Sequence, residues 1–382
     1  MNGKWWLWFA LAGCTPLRPY QGEPPAGLMC DRILVPAKSL SETLGTAKPG
    51  DCVILADGTY SGAFVLPEDV SLAASEGADV TLTGGDPVLT IKGGRRSMVR
   101  GLRVVATGAN GVSIEPGPAQ LVGVKVAQAQ KSALTASCMK DCADKEVALT
   151  DCEVSQSSTG IRVAGLPLRL ERGRVAEQVG TSLSSGSGVV ATAGAVVSLK
   201  DVVIEQNQNV GVLLDGATTR ATLDGCTIRN NQGRGVWAQG QVRTGVEPSV
   251  TVTGGEVSGN ALVGIGARDA SGLVIRQARV LSTKAIRVPI DISRSEDVGD
   301  GIGLFTGTSG VTVEGVTLAD NARAQVLADQ SGQDVRLAGT MSGGRFRVVV
   351  QRTGVAVTVE PALLDAPPME LTVRSGTIGL DQ

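Results

Sequence analysis

The chain has 382 residues, of which 51 are glycine, with aromatics at 3% and a formal net charge of −2. That mix suits many short strands divided by tight turns, and it cannot build a core of large rings. The near-neutral charge gives no footprint for nucleic acid or anionic lipid. The complete lack of histidine excludes imidazole acid–base catalysis, histidine-containing triads and the commonest ligand for zinc, copper or iron.

At the N-terminus Lys4 supplies a short positive start, and Trp5 to Ala10 form an apolar run far too short to span a bilayer as a helix. Leu11-Ala12-Gly13-Cys14 follows, and it resembles the bacterial lipobox. The resemblance implies a signal peptide over residues 1–13 and lipidation at Cys14, the mature N-terminus. Thr15 follows the cysteine. In the Gram-negative rule an Asp there favours the inner membrane, so Thr15 implies a lipid anchor at the outer membrane or cell surface. Residues 14–36 are rich in proline and read as the lipidated flexible tether.

Residues 37–60 read as a cap and first turn, and 61–322 as repeated coils. A hexamer of apolar, any, any, small-or-apolar, any, apolar recurs. It reads VRGLRV from Val99, LVGVKV from Leu121, LTDCEV from Leu149 and LERGRV from Leu170. It continues as LKDVVI from Leu199, LDGCTI from Leu223, VTGGEV from Val252, IRQARV from Ile275 and VEGVTL from Val313. A glycine followed by a β-branched residue lies between hexamers, at Gly111, Gly160, Gly188, Gly211, Gly235, Gly264 and Gly301. The segments alternate with period 2, as in Val196-Val197-Ser198-Leu199, which excludes helical repeats. A base period of roughly 22 residues with variable insertions predicts an all-β, right-handed parallel β-helix. Polar corners follow the hexamers at Gln206-Asn207, Asn230-Asn231, Gly259-Asn260 and Asp320-Asn321. Their amides are placed to bond the equivalent residue one coil away. Residues 323–382 read as less regular final strands and a C-terminal cap.

Ala47-Lys48-Pro49-Gly50-Asp51, Val53-Ile54-Leu55 and Asp57-Gly58-Thr59-Tyr60 resemble the opening of pectate-lyase-like β-helix proteins. That resemblance spans about residues 45–322 and implies a short capping helix, whose Leu40, Leu44 and Ala47 would plug the apolar end of the solenoid. It speaks for fold far more than for chemistry, since such folds carry lyases, hydrolases, adhesins and inert scaffolds.

Six cysteines remain past Cys14. Cys152 and Cys226 occupy the same slot of the hexamer three coils apart, roughly 14 Å at the strand spacing, too far for a disulfide. They read as buried thiols, with Cys30–Cys52 and Cys138–Cys142 as candidate bonds.

Three insertions offer loops for function, at 137–146, 239–248 and 282–300. The last is the most charged. Asp291, Asp297 and Asp300 with Arg287 or Arg294 are the candidate catalytic set, in the carboxylate-and-cation style that the lyase and hydrolase resemblance implies. A solvated loop face competes with that assignment. The outward row two residues past each glycine reads Ser113, Arg162, Val190, Leu213, Trp237, Gly266 and Gly303. In it Val190, Leu213 and Trp237 form a candidate apolar binding strip, against the alternative that an insertion loop covers it.

No metal-ligand set is legible and no cofactor is expected, calcium being the one ion that the resemblance brings in. The favoured function is a surface-anchored, non-catalytic scaffold or binding module. The alternative is a polysaccharide lyase or glycoside hydrolase using the 282–300 loop. Partners on this reading are the membrane, through the lipid, and a polysaccharide or another envelope protein.

Overall fold

The computed structural model describes residues 27–36, 39–180, 185–240, 247–289, 295–329, 334–351 and 357–359. Short strands joined by tight turns make up most of its regular structure, and apart from one hairpin they stack in parallel. Each coil adds one strand to a flat wall, a sheet of 13 strands that includes one antiparallel hairpin strand, Ile286–Pro289. It also adds a pair of strands, separated by a bend, to a wall of 24 strands.

The register repeats the hexamer. Its first residues stack as Val99, Leu121, Leu149, Leu170, Leu199, Leu223, Val252, Ile275 and Val313, each opposite the next. Alternation explains why. In Ser249–Thr253, for example, Val250 and Val252 are buried while Ser249, Thr251 and Thr253 are partly open to solvent. A one-residue slip would turn every core side chain outward, so the hydrophobic pattern pins the coils in place.

Two boundaries differ from the sequence reading. Arg32–Leu34 lies in the stretch read as a tether, yet it pairs in parallel with Asp51–Val53 as a first rung. The Cys30–Cys52 disulfide and an Arg32–Asp51 ion pair of 2.6 Å fix it there. Proline content hid a strand only three residues long. At the other end, parallel stacking continues past residue 322 through Val335–Ser342 to Val357–Val359. In the first of these rungs Val335 and Leu337 stay buried and Gly339 takes the small-residue slot opposite Val316, one residue sooner than in the hexamer, across a register shift.

The one helix among the described residues, α1 (Leu40–Thr46), follows the first rung. The Ser39 hydroxyl caps it by accepting from the Glu42 amide at 3.1 Å. Leu40 and Leu44 are buried and Ala47 packs against the same core, so this face closes the apolar end of the solenoid.

The polar corners form an inner ladder. The Asn207 side-chain amide donates to the Asn231 carbonyl oxygen at 2.8 Å, and Asn231 donates likewise to Asn260 at 2.8 Å. The residue before each turns the chain with positive φ: 57° at Gln206, 55° at Asn230 and 59° at Gly259. The thiols of Cys152 and Cys226 are free and buried, donating to the carbonyls of Leu121 and Leu199. A second disulfide joins Cys138 and Cys142.

Candidate functional site

The outer face of the flat wall changes character along the axis. Two residues past the glycine row, the column reads Thr90, Ser113, Thr135, Arg162, Val190, Leu213, Trp237, Gly266, Gly303, Leu327 and Val349. The first part is polar and partly open, the second apolar.

In the polar part lies a groove of about 410 Å³, lined by Asn110, Lys131, Ser132, Thr135, Ser158, Thr159, Arg162 and Ser185. The rungs explain its composition. Asn110, Ser132 and Thr159 are stacked partners at the strand starts, and Thr135 and Arg162 are partners further along. Hydroxyls and an amide therefore recur at the strand spacing, with two cations among them. No carboxylate lines the groove among the described residues. The arrangement can donate hydrogen bonds along its length and neutralise an anion at Lys131 and Arg162.

The apolar part brings Val190, Leu213 and Trp237 together in the column expected from the sequence. They are not an exposed strip, however. Their exposures are 1%, 2% and 3%, within a cluster that includes Val210, Val263 and Phe305. Trp237 and Phe305 lie with ring centroids 5.6 Å apart. A Cβ on Gly266 would come within 2.5 Å of the Trp237 ring, and one on Gly303 within 2.7 Å of Phe305. Each glycine is the seat of an aromatic ring. The Trp237 indole N–H donates to Gln239 at 2.9 Å, and Gln239 donates to Asp215 at 3.1 Å.

The charged loop does not assemble as one group. Asp291 and Arg294 lie outside the described residues. Arg287 and Asp297 are exposed and sit opposite each other in an antiparallel hairpin. Asp300 is fully buried and takes a bidentate ion pair from Arg323, itself 5% exposed. A solvated face therefore describes Asp297 and not Asp300, because the strand turns Asp300 away from solvent. Among the described residues no three of Asp, Glu, Cys or His gather as a metal-ligand set.

On the bent wall, charges alternate along the axis. Arg174 meets Glu153 at 3.2 Å and Glu205 at 2.9 Å, and Arg229 meets Glu205 at 2.8 Å. Burial alone would raise the Glu205 pKa, but the two guanidiniums outweigh it and hold the carboxyl below its usual range. This is a structural brace.

In the sequence Arg162 stands in the outward row with nothing to mark a groove, and Lys131 stands outside that row. The signal was present as a run of Ser, Thr and Arg where later coils carry Val, Leu and Trp.

The family model described as a right-handed beta helix region matches residues 187–339. No curated protein sequence matches the chain. Among solved structures, the A-module of an Azotobacter vinelandii mannuronan C-5 epimerase is similar at 15% identity and a TM-score of 0.51, over 84% of this chain and 94% of that one. An α-1,3-glucanase catalytic unit from Streptomyces thermodiastaticus aligns at 12% identity and a TM-score of 0.50, over 90% of this chain and 69% of that one. The Dettilon tailspike protein aligns at 11% and 0.50, over 82% of this chain and 61% of that one. At these identities the likeness is one of fold. Strand register, the family match over residues 187–339 and structural likeness together show that this chain has the fold of a right-handed parallel β-helix.

Proposed function

We propose that this chain is a lipid-anchored binding module at the outer membrane or cell surface, and that its flat-wall groove takes an acidic polysaccharide. The groove itself carries the reading: hydroxyls and an amide repeated at the rung spacing, two cations, and no lining carboxylate among the described residues. A sugar acid offers hydroxyls for the first and a carboxylate for Lys131 and Arg162.

Titration calorimetry of the full chain against a polyuronate and a neutral glucan tests this. Polyuronate binding is expected to weaken with added salt, and Lys131→Gln or Arg162→Gln each to weaken it by about tenfold or more. Equal binding of the neutral glucan, or indifference to both substitutions, refutes the reading.

The competing function is a polysaccharide lyase or glycoside hydrolase. Hydrolysis uses two carboxyl groups about 5–9.5 Å apart across the scissile bond, which the groove lining does not offer. Elimination needs a base and a cation beside the uronate, and Lys131 with Arg162 are residues of that kind. Accumulation of unsaturated chain ends during incubation with polyuronate would turn the binding module into a lyase.

A further inference from the structure

Arg234 is a buried cation without a counter-ion among the described residues. It stands immediately before Gly235 on the outer face of the flat wall, where the neighbouring rungs carry Val210 and Val263. Its exposure is 8%. Its Nε has no hydrogen-bond partner, and among the described residues no carboxylate forms an ion pair with it. The guanidinium carbon lies 4.3 Å from the centre of the Trp237 ring. Instead of an anion, a second cation is its electrostatic neighbour. Arg268, in register with Gln239 and just past the seat of the Trp237 ring, repels it. Burial first, and Arg268 second, push the Arg234 pKa down to about 10. Stacking on an indole offsets part of the cost of burying a guanidinium and supplies no hydrogen-bond acceptor.

We propose that the Arg234 guanidinium is the seat of a binding site for a small oxyanion, a carboxylate or sulfate group, held beside Trp237 in the positive field that Arg268 adds. An anion there would accept from the idle donors of Arg234, relieve the repulsion between the two guanidiniums and leave the stacked ring in place. The oxyanion could come free in solution or carried on a saccharide, and the chemistry is the same. The site uses none of the residues lining the groove and stands whether or not that groove takes a polymer.

Thermal melts of the full chain in sulfate, against chloride at equal ionic strength, provide the test. Sulfate raises the melting temperature of many proteins by exclusion from their surfaces, so the reading is the difference between wild type and Arg234→Met. Wild type should show an extra, saturable rise that Arg234→Met lacks. Arg234→Lys keeps the charge but loses the fork, and should bind at least about tenfold more weakly. Sulfate should also titrate the fluorescence of Trp237, and Trp237→Phe should lose that response. Glucuronate saturating at lower concentration than sulfate would point to a saccharide-borne carboxylate, and the reverse order to sulfate itself. Should Arg234→Met fail to fold, Arg268→Gln provides the same comparison. Parallel melts for wild type and variant, or fluorescence unmoved by either anion, overturn the site.

Discussion

Asp297 and Asp300 stand close together in the chain and are physically unlike. Asp300→Asn removes the carboxylate of a buried bidentate ion pair with Arg323, which costs about 3–5 kcal/mol. Asp297→Asn changes an exposed hairpin position and should shift stability by less than about 0.5 kcal/mol. Chemical denaturation of the two variants checks the contrast, and equal losses would contradict it. Calcium should produce no saturable rise in melting temperature, because Asp300 already has its counter-ion. The same burial governs the free thiols. Desolvation pushes Cys152 and Cys226 up to about 11 from the usual thiol value of 9.0. A raised folded pKa stabilises the protein fully below the unfolded value, and that contribution is lost as pH climbs through the folded one. Stability should therefore fall between about pH 9 and 11, and fall less in Cys152→Ala/Cys226→Ala, as pH-dependent melts would read. At neutral pH both thiols should resist alkylation until the chain unfolds.

Among the elements, the amide ladder and the ring-bearing glycines do different work. Asn231 is 1% exposed and bonds both Asn207 and Asn260. Asn231→Leu strands two donors of Asn207, its backbone N–H and its side-chain amide, while the Asn260 side-chain oxygen keeps the Asn231 backbone N–H. A loss of roughly 2–6 kcal/mol is therefore expected, at about 1–3 kcal/mol for each orphaned group. Gly266→Ala drives a methyl into the Trp237 ring and should cost about 1–3 kcal/mol unless the indole tilts away. Both are measured as shifts in denaturant midpoint at constant slope. These elements also show what could be read beforehand. Hexamers announced every rung from Val99 to Val313, since each core residue recurs in one column and the sequence states it directly. The Asn corners were equally legible, because identical residues stack on themselves. Gly266 and Gly303 looked like blanks in the outward row, and their purpose depends on rings contributed from elsewhere. The polar groove escaped for a related reason. Lys131 and Arg162 belong to different coils and become neighbours only through the register.

At the scale of the whole molecule, each coil touches little beyond the coils next to it, so stability adds up rung by rung. Reduction of Cys30–Cys52 should then loosen Arg32–Leu34 while the later coils hold. Limited proteolysis of reduced protein is expected to cut first near residues 27–36, leaving the remainder resistant. Cutting deep in the solenoid first would show that the clasp and the stack unfold together. That first rung has a further consequence. A column of parallel strands ends in a row of amides and carbonyls with nothing above it, and such a row templates whatever extended chain arrives. Here the row belonging to Asp51–Leu55 is covered by three residues of strand, and the apolar bore beneath it by one short helix. Remove residues 27–46 and the open end becomes indistinguishable from a coil awaiting its successor. The molecule is thus a polymer of its own turns that has been terminated, and the shortened chain should associate end to end into filaments whose length grows with concentration.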